Sequence, residues 1–286
     1  MEEVRGGLQY RSRPDGRPLD RDARALAREL AKIVRGEVRF DDGTRGLYAT
    51  DASNYRQVPI GVVVPRDLDD VLAAIAACRR HGAPVLPRGG GTSLAGQCCN
   101  VAVVIDFSKY LNRVLELDPE RRRARVEPGL ILDHLRQQAE KHHLTFAPDP
   151  STHDRCTLGG MIGNNSCGVR SVMAGKTDDN VEELEVATYD GLRLRVGRTS
   201  DSELEAILRA GGRRAQIYSR LKDLRDRHAE EIRQRYPRIP RRVSGGSSAN
   251  SVWRAVDLWR IGHDPVDGRM DGLSELKPPT RPPTGS

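Results

Sequence analysis

The residues best suited to chemistry in this chain form one stretch, Pro87-Arg88-Gly89-Gly90-Gly91-Thr92-Ser93-Leu94-Ala95-Gly96-Gln97. Three consecutive glycines give up side-chain packing and carry a high backbone entropy, so they belong where the chain must turn tightly or approach something closely. Successive backbone N–H groups in such a turn form an anion-binding nest. Arg88 adds a positive charge, and Thr92 and Ser93 add hydroxyl donors. A phosphate or pyrophosphate suits these groups, although three glycines alone also fit a tight strand-to-strand turn without a ligand. Two familiar phosphate loops are excluded by position. The dinucleotide fingerprint requires glycine where Leu94 stands, and the P-loop requires Lys and Ser/Thr where Gln97 and Cys98 stand.

A second stretch begins at Pro148-Asp149-Pro150-Ser151-Thr152 and continues from Thr157 through Gly159, Gly160, Asn164 and Asn165 to Gly168. Leu158, Met161 and Ile162 recur in it at helical spacing, which predicts a short glycine-rich helix that a flat ligand could approach. Its N-terminus is expected to present N–H groups to phosphate. Asn164, Asn165 and Ser166 offer hydrogen bonds suited to ring carbonyls and nitrogens. His134, His142 and His143 lack a carboxylate at ligand spacing, and no metal is expected.

Several elements must position these stretches. A helix is expected from Asp20 to about Arg35, followed by a turn at Asp41-Asp42-Gly43-Thr44 and a polar surface loop over 50–55. Gly61 to Val64, a helix capped by Asp67 and closed by His81-Gly82, and a strand from Ala83 to Leu86 read as a β–α–β unit. The glycine loop leaves the C-terminal end of that unit, where ligands sit in α/β proteins. Val101 to Asp106 is a further buried strand. Hairpins are expected about Asp118-Pro119 and Asp190-Gly191, a helix over 130–142 between them, and two helices over 202–208 and 213–235. The polar turn Gly175-Lys176-Thr177-Asp178-Asp179-Asn180-Val181 leads into the second hairpin.

Composition narrows the class. The net charge of +7 is spread along the chain, and aromatic residues make up only 4%, which argues against a nucleic-acid surface with stacking side chains. The five cysteines form no C-x-x-C pair, so neither a disulfide framework nor a zinc or iron–sulfur site is expected on this chain. No run approaches the length of a membrane span, and a cytoplasmic location follows from the cysteine usage.

Together, PRGGGTSLAGQ, PDPST, TLGGMIGNNSCG and GKTDDNV resemble the FAD-binding domain of the vanillyl-alcohol oxidase/p-cresol methylhydroxylase (PCMH) superfamily. The resemblance covers roughly 37–245 and is strongest to the branch of D-2-hydroxy-acid dehydrogenases that act on D-lactate, glycolate or D-2-hydroxyglutarate, in particular those fused to iron–sulfur regions. It implies an α+β fold, a PCMH-type FAD-binding domain of two α/β subdomains with the cofactor between them. The implied layout is an N-terminal extension with one helix (1–54), subdomain 1 (55–112), subdomain 2 (113–245) and a disordered tail (246–286).

The resemblance also assigns residues. Arg88, Gly89, Gly90, Gly91, Thr92 and Ser93 would hold the FAD pyrophosphate. Pro148, Asp149, Thr157, Gly159, Gly160, Asn164 and Gly168 would lie along the rest of the cofactor, and Gly175 and Val181 would contact it from the turn. Some members hold flavin covalently through a histidine in the first loop; Thr92 or Ser93 stands there, so non-covalent FAD is expected. The substrate would be a small 2-hydroxy acid, with electrons leaving through an iron–sulfur region or subunit not on this chain. The substrate domain that follows in relatives is not matched beyond Gly245, so a C-terminally truncated relative is expected and no catalytic residue is assigned. A non-catalytic FAD-binding remnant and a flavin reductase of cell-wall nucleotide precursors are the alternative readings.

Overall fold

The computed structural model describes residues 21–235 and the pair Ser274–Glu275. The expectations for residues 1–20 and for the rest of 236–286, including the disordered tail, lie outside the described residues. Helix α1 (Arg21–Ile33) leads to strand β1 (Glu37–Arg39) and the short helix α2 (Asp42–Leu47). There the expected turn is instead a helix, because the Asp41 carboxylate caps it by accepting from the Thr44 amide at 2.8 Å. Strand β2 (Gly61–Val64), helix α3 (Leu68–Arg80), strand β3 (Val85–Arg88) and strand β4 (Val103–Asp106) follow. Asp67 caps α3 as expected, its side chain accepting from the Asp70 amide. Strand β3 runs two residues further than the sequence suggests, so Arg88 belongs to the strand and not to the loop.

The four strands pair in the order β1-β2-β4-β3, with β1 antiparallel to β2 and the other neighbours parallel. The β–α–β unit is therefore open: α3 carries the chain past one strand position, and β4 fills it. All four residues of β4 and of β2 are buried, the pattern of strands covered on both faces. Alternation assigns the faces. Val63, Val103 and Ile105 join Leu26, Leu30, Val71 and Ile75 from α1 and α3, while Val62, Val64 and Val104 meet Tyr48, Leu86 and Tyr110 on the other side.

A second core gathers the hairpin β5 (Val114–Asp118) and β6 (Arg123–Val126), helix α4 (Leu132–Ala139), strand β7 (Leu144–Thr145) and helix α5 (Leu158–Asn164). Leu130, Leu132, Leu135, Phe146 and Met161 are its main buried side chains. Helix α4 ends earlier than the period suggests, giving way to a 3-10 turn over Glu140–His142 and a left-handed His143. Beyond helix α6 (Ser171–Ala174) and a 3-10 turn at Thr177–Asn180, hairpin β8 (Glu183–Ala187) and β9 (Arg193–Gly197) leads to helices α7 (Asp201–Ala210) and α8 (Gly212–Arg235). Ion pairs Arg123–Glu182 (2.9 Å) and Arg125–Glu185 (3.9 Å) tie the two hairpins together. Strand β10 (Ser274–Glu275) pairs antiparallel with β7.

Candidate functional site

The glycine loop is the connection from β3 to β4. Two parallel neighbours need a long crossover, and here residues 89–102 supply it without a helix. Gly91 and Gly96 sit at φ +64° and +78°, conformations that favour glycine. Among the described residues, the backbone N–H groups of Gly90, Gly91, Thr92, Ser93 and Leu94 donate to no acceptor of the chain. Five consecutive amides without a partner in a half-exposed loop are the donors that an anion nest requires. The Ser93 hydroxyl lies 3.2 Å from Cys98 Sγ, and no acidic side chain occurs in the loop.

The structure brings the two glycine stretches together. A Cβ on Gly89 would collide with Thr157 Oγ1, and one on Gly90 with the Arg155 carbonyl oxygen. The close approach that these two glycines permit is therefore to the chain itself, and it seats the nest against the start of α5. Thr157 caps that helix by accepting from the Gly160 amide.

Two expectations change. The N-terminus of α5 does not present free donors to phosphate. The Leu158 amide donates to Leu130 O and the Gly159 amide to Pro128 O, both at 2.8 Å, and Gly160 is taken by Thr157. Arg88 is largely spent on the chain itself, although its Nη2 would lie 2.8 Å from a Cβ on Gly91. Its guanidinium donates to the carbonyls of Tyr48 (3.2 Å), Thr50 (2.8 Å) and Cys98 (3.0 Å) and stacks over the Tyr48 ring.

The remaining predicted residues lie on α5, in the segment before it and in the turns that follow it. Gly159 packs against Pro128, while no atom stands within 4 Å of where a Cβ would sit on Gly163, and Asn164 is exposed, so one face of α5 is open. Asn165 ends the helix at φ 47°, is buried, and its Oδ1 accepts the Asp178 amide at 3.0 Å. Pro148 is buried with its carbonyl held by Arg136 Nη2 at 2.9 Å. Asp149 accepts the Arg170 amide at 2.8 Å and touches Gly168. Gly175, at φ +74°, lies against the Asp179 side chain, and half-buried Val181 follows that turn.

The polar loop over 50–55, expected at the surface, has a role that sequence reasoning missed. The Ala52 amide donates to Gly91 O at 3.1 Å, and Asp51 accepts from the amides of Ser53 (2.9 Å) and Cys98 (3.2 Å). Burial raises the Asp51 pKa, but the hydrogen bonds from Ser53 and Cys98 outweigh it and hold the carboxyl below its usual range. The D-x-S pattern was the visible signal, an Asx turn. His153, near the second stretch, pairs with Asp133 at 2.7 Å. Among the described residues no group of His, Cys, Asp and Glu could hold a metal, and no helix is long and apolar enough to cross a membrane. Two surface hollows of about 510 and 560 Å³ lie elsewhere, one beside Tyr48 and Asp106 and one beside His134 and Lys141. The donors, not the hollows, mark the chemistry.

Residues 59–197 match the family model described as FAD binding domain. D-2-hydroxyglutarate dehydrogenase of Pseudomonas putida is 37% identical over 215 residues, 74% of this chain and 21% of that protein. Glycolate oxidase subunit GlcD of Bacillus subtilis is 37% identical over 169 residues, 57% of this chain and 36% of that one. The chain thus spans between about a fifth and two fifths of the length of these relatives. Among solved structures, alkyldihydroxyacetonephosphate synthase superposes with TM-score 0.56 at 23% identity, covering 63% of this chain and 36% of that one. Xylooligosaccharide oxidase from Myceliophthora thermophila C1 gives 0.53 at 20%, covering 63% and 38%. At such identities the two structures speak to the fold alone. Over residues 59–197 the chain carries an FAD-binding domain.

Proposed function

We propose that this chain binds FAD non-covalently with the diphosphate in the nest of Gly90 to Leu94, and that the protein it serves oxidises a D-2-hydroxy acid to the 2-oxo acid. The observation that carries the reading is the run of five partnerless amides, backed by the resemblance to D-2-hydroxyglutarate dehydrogenases and a glycolate oxidase subunit. When bound, the flavin supplies the hydride-accepting chemistry that no side chain here offers. The chain's own part is placement. The nest amides and the Thr92 and Ser93 hydroxyls would donate hydrogen bonds to the diphosphate oxygens. The bare face of α5 at Gly163, with Asn164 beside it, leaves room for a flat group. Pro148, Asp149 and Gly168 wall the site, and Gly175 and Val181 close it from the turn before β8. Electrons leave through an iron–sulfur region or subunit outside this chain. Five free cysteines suit a reducing, cytoplasmic compartment.

Purified chain mixed with FAD is expected to keep flavin absorbance through desalting and to release all of it on acid denaturation. Loss of flavin on desalting at every concentration tried overturns the cofactor site, and flavin left on the precipitate overturns non-covalent binding. Dye reduction by the natural protein carrying this domain tests the substrate. Equal rates with D- and L-2-hydroxyglutarate, or none with that acid, D-lactate or glycolate, overturn the hydroxy-acid reading.

A further inference from the structure

We propose that Asp51 and Arg88 are positioning residues, and that segment 48–56 is a clasp that fixes the nest in its anion-binding shape before any ligand arrives. This rests on the reading of the loop as a diphosphate site. A loop with three adjacent glycines has many conformations to lose. Affinity then depends on how much of that ordering is done beforehand. The clasp does it at three points. At the near end, the Gly91 carbonyl is held by the Ala52 amide at 3.1 Å. In the middle, a Cβ on Gly96 would lie 2.8 Å from Tyr55 Cδ2, so the ring of Tyr55 is the floor under that turn.

At the far end, Cys98 is gripped on both sides. Its amide donates to Asp51 Oδ2 at 3.2 Å, and its carbonyl accepts from Arg88 Nη1 at 3.0 Å. The same guanidinium holds Thr50 O and Tyr48 O, which flank Ala49 just ahead of Asp51. Arg88 and Asp51 thus join the clasp to the exit of the loop. Both act through the backbone they hold: the Asp51 oxygens accept two amides, and Arg88, whose Nη2 would lie 2.8 Å from a Cβ on Gly91, donates to three carbonyls.

The test uses the full chain, with FAD and ADP as probes. Arg88→Lys, which cannot span three carbonyls, and Asp51→Ala are each expected to weaken both ligands about tenfold or more, the scale of a lost charge-assisted hydrogen bond. The unfolding midpoint of the ligand-free chain should stay within a few degrees of wild type. Asp51→Asn keeps one oxygen for the Cys98 amide and should recover most of the affinity. Amide exchange in the ligand-free chain gives a reading without flavin: Ala52 and Cys98 protected, Gly90 to Leu94 fast, and Cys98 accelerated by Asp51→Ala. Unchanged affinity in both variants, or affinity lost only in step with stability and not recovered by Asp51→Asn, overturns the proposal. So does equal exchange at Cys98 with and without the Asp51 carboxylate. Failure of the wild-type chain to bind FAD is a separate result and overturns the cofactor reading itself.

Discussion

At the scale of single residues, the glycines of the two stretches do different work. Gly90 faces the Arg155 carbonyl, so any side chain there must push backbone, whereas a Cβ on Gly163 meets nothing within 4 Å. Gly90→Val is therefore expected to separate the loop from α5, abolish flavin retention and lower the stability of the ligand-free chain by roughly 1–3 kcal/mol, the usual cost of overpacking. Gly163→Ala removes a flexible residue from the last turn of α5 and is expected to stabilise the ligand-free chain by up to about 0.5–1 kcal/mol. If a flat group lies on that face, the same variant binds FAD less tightly. Urea unfolding and flavin titration of both variants check the pair, and a Gly90→Val chain as stable and as yellow as wild type would show that the loop–helix contact is dispensable.

At the scale of elements, much of the framework was legible and its joints were not. Period placed α1, α3 and the short helix α5, and the turns at Asp118-Pro119 and Asp190-Gly191 placed the two hairpins. The Asp67 cap was legible because Asp stood directly before an apolar period. The order β1-β2-β4-β3 was not, since nothing local to Val103–Asp106 says that it slots between two earlier strands. Arg88 and Asp51 escaped for a related reason: their partners are carbonyls and amides up to 47 positions away, which side-chain pattern cannot reveal.

Asp70 is a third such joint. It is 2% exposed, and its carboxylate accepts the amides of Arg35, Gly36 and Arg66, each at 2.9 Å, fastening the end of α1 to the start of α3. Burial raises its pKa, but those three hydrogen bonds and the Arg35 charge outweigh it, so the folded value lies below the usual one. A carboxyl depressed on folding contributes stability that is full above its unfolded pKa, near 4, and is lost as pH falls through the folded value. Asp70→Asn is expected to cost about 1–3 kcal/mol at neutral pH and to flatten the acid limb of the stability curve. Parallel acid limbs in variant and wild type would remove Asp70 from that account.

At the scale of the whole molecule, the nest lies where the two cores meet. It leaves the sheet of the first through β3 and rests on α5 of the second through the Gly89–Thr157 and Gly90–Arg155 contacts. A ligand seated there touches both, so its binding energy should oppose unfolding of both in one transition. Linkage sets the size: ligand at a hundred times its Kd adds about 2.7 kcal/mol, and in a chain of this length that raises the midpoint by roughly 5–10 °C. Because the amides read the diphosphate and not the ring, ADP is expected to give a clear shift on its own and riboflavin little. FAD, which adds contacts along α5, should give the largest shift at equal concentration. Added salt should erode the ADP shift, since screening weakens the attraction of a +7 chain for an anion. Thermal unfolding of the chain with each compound in turn decides the matter. A riboflavin shift equal to that of ADP would mean that the site recognises the ring first, and that the five open amides are not what holds the cofactor.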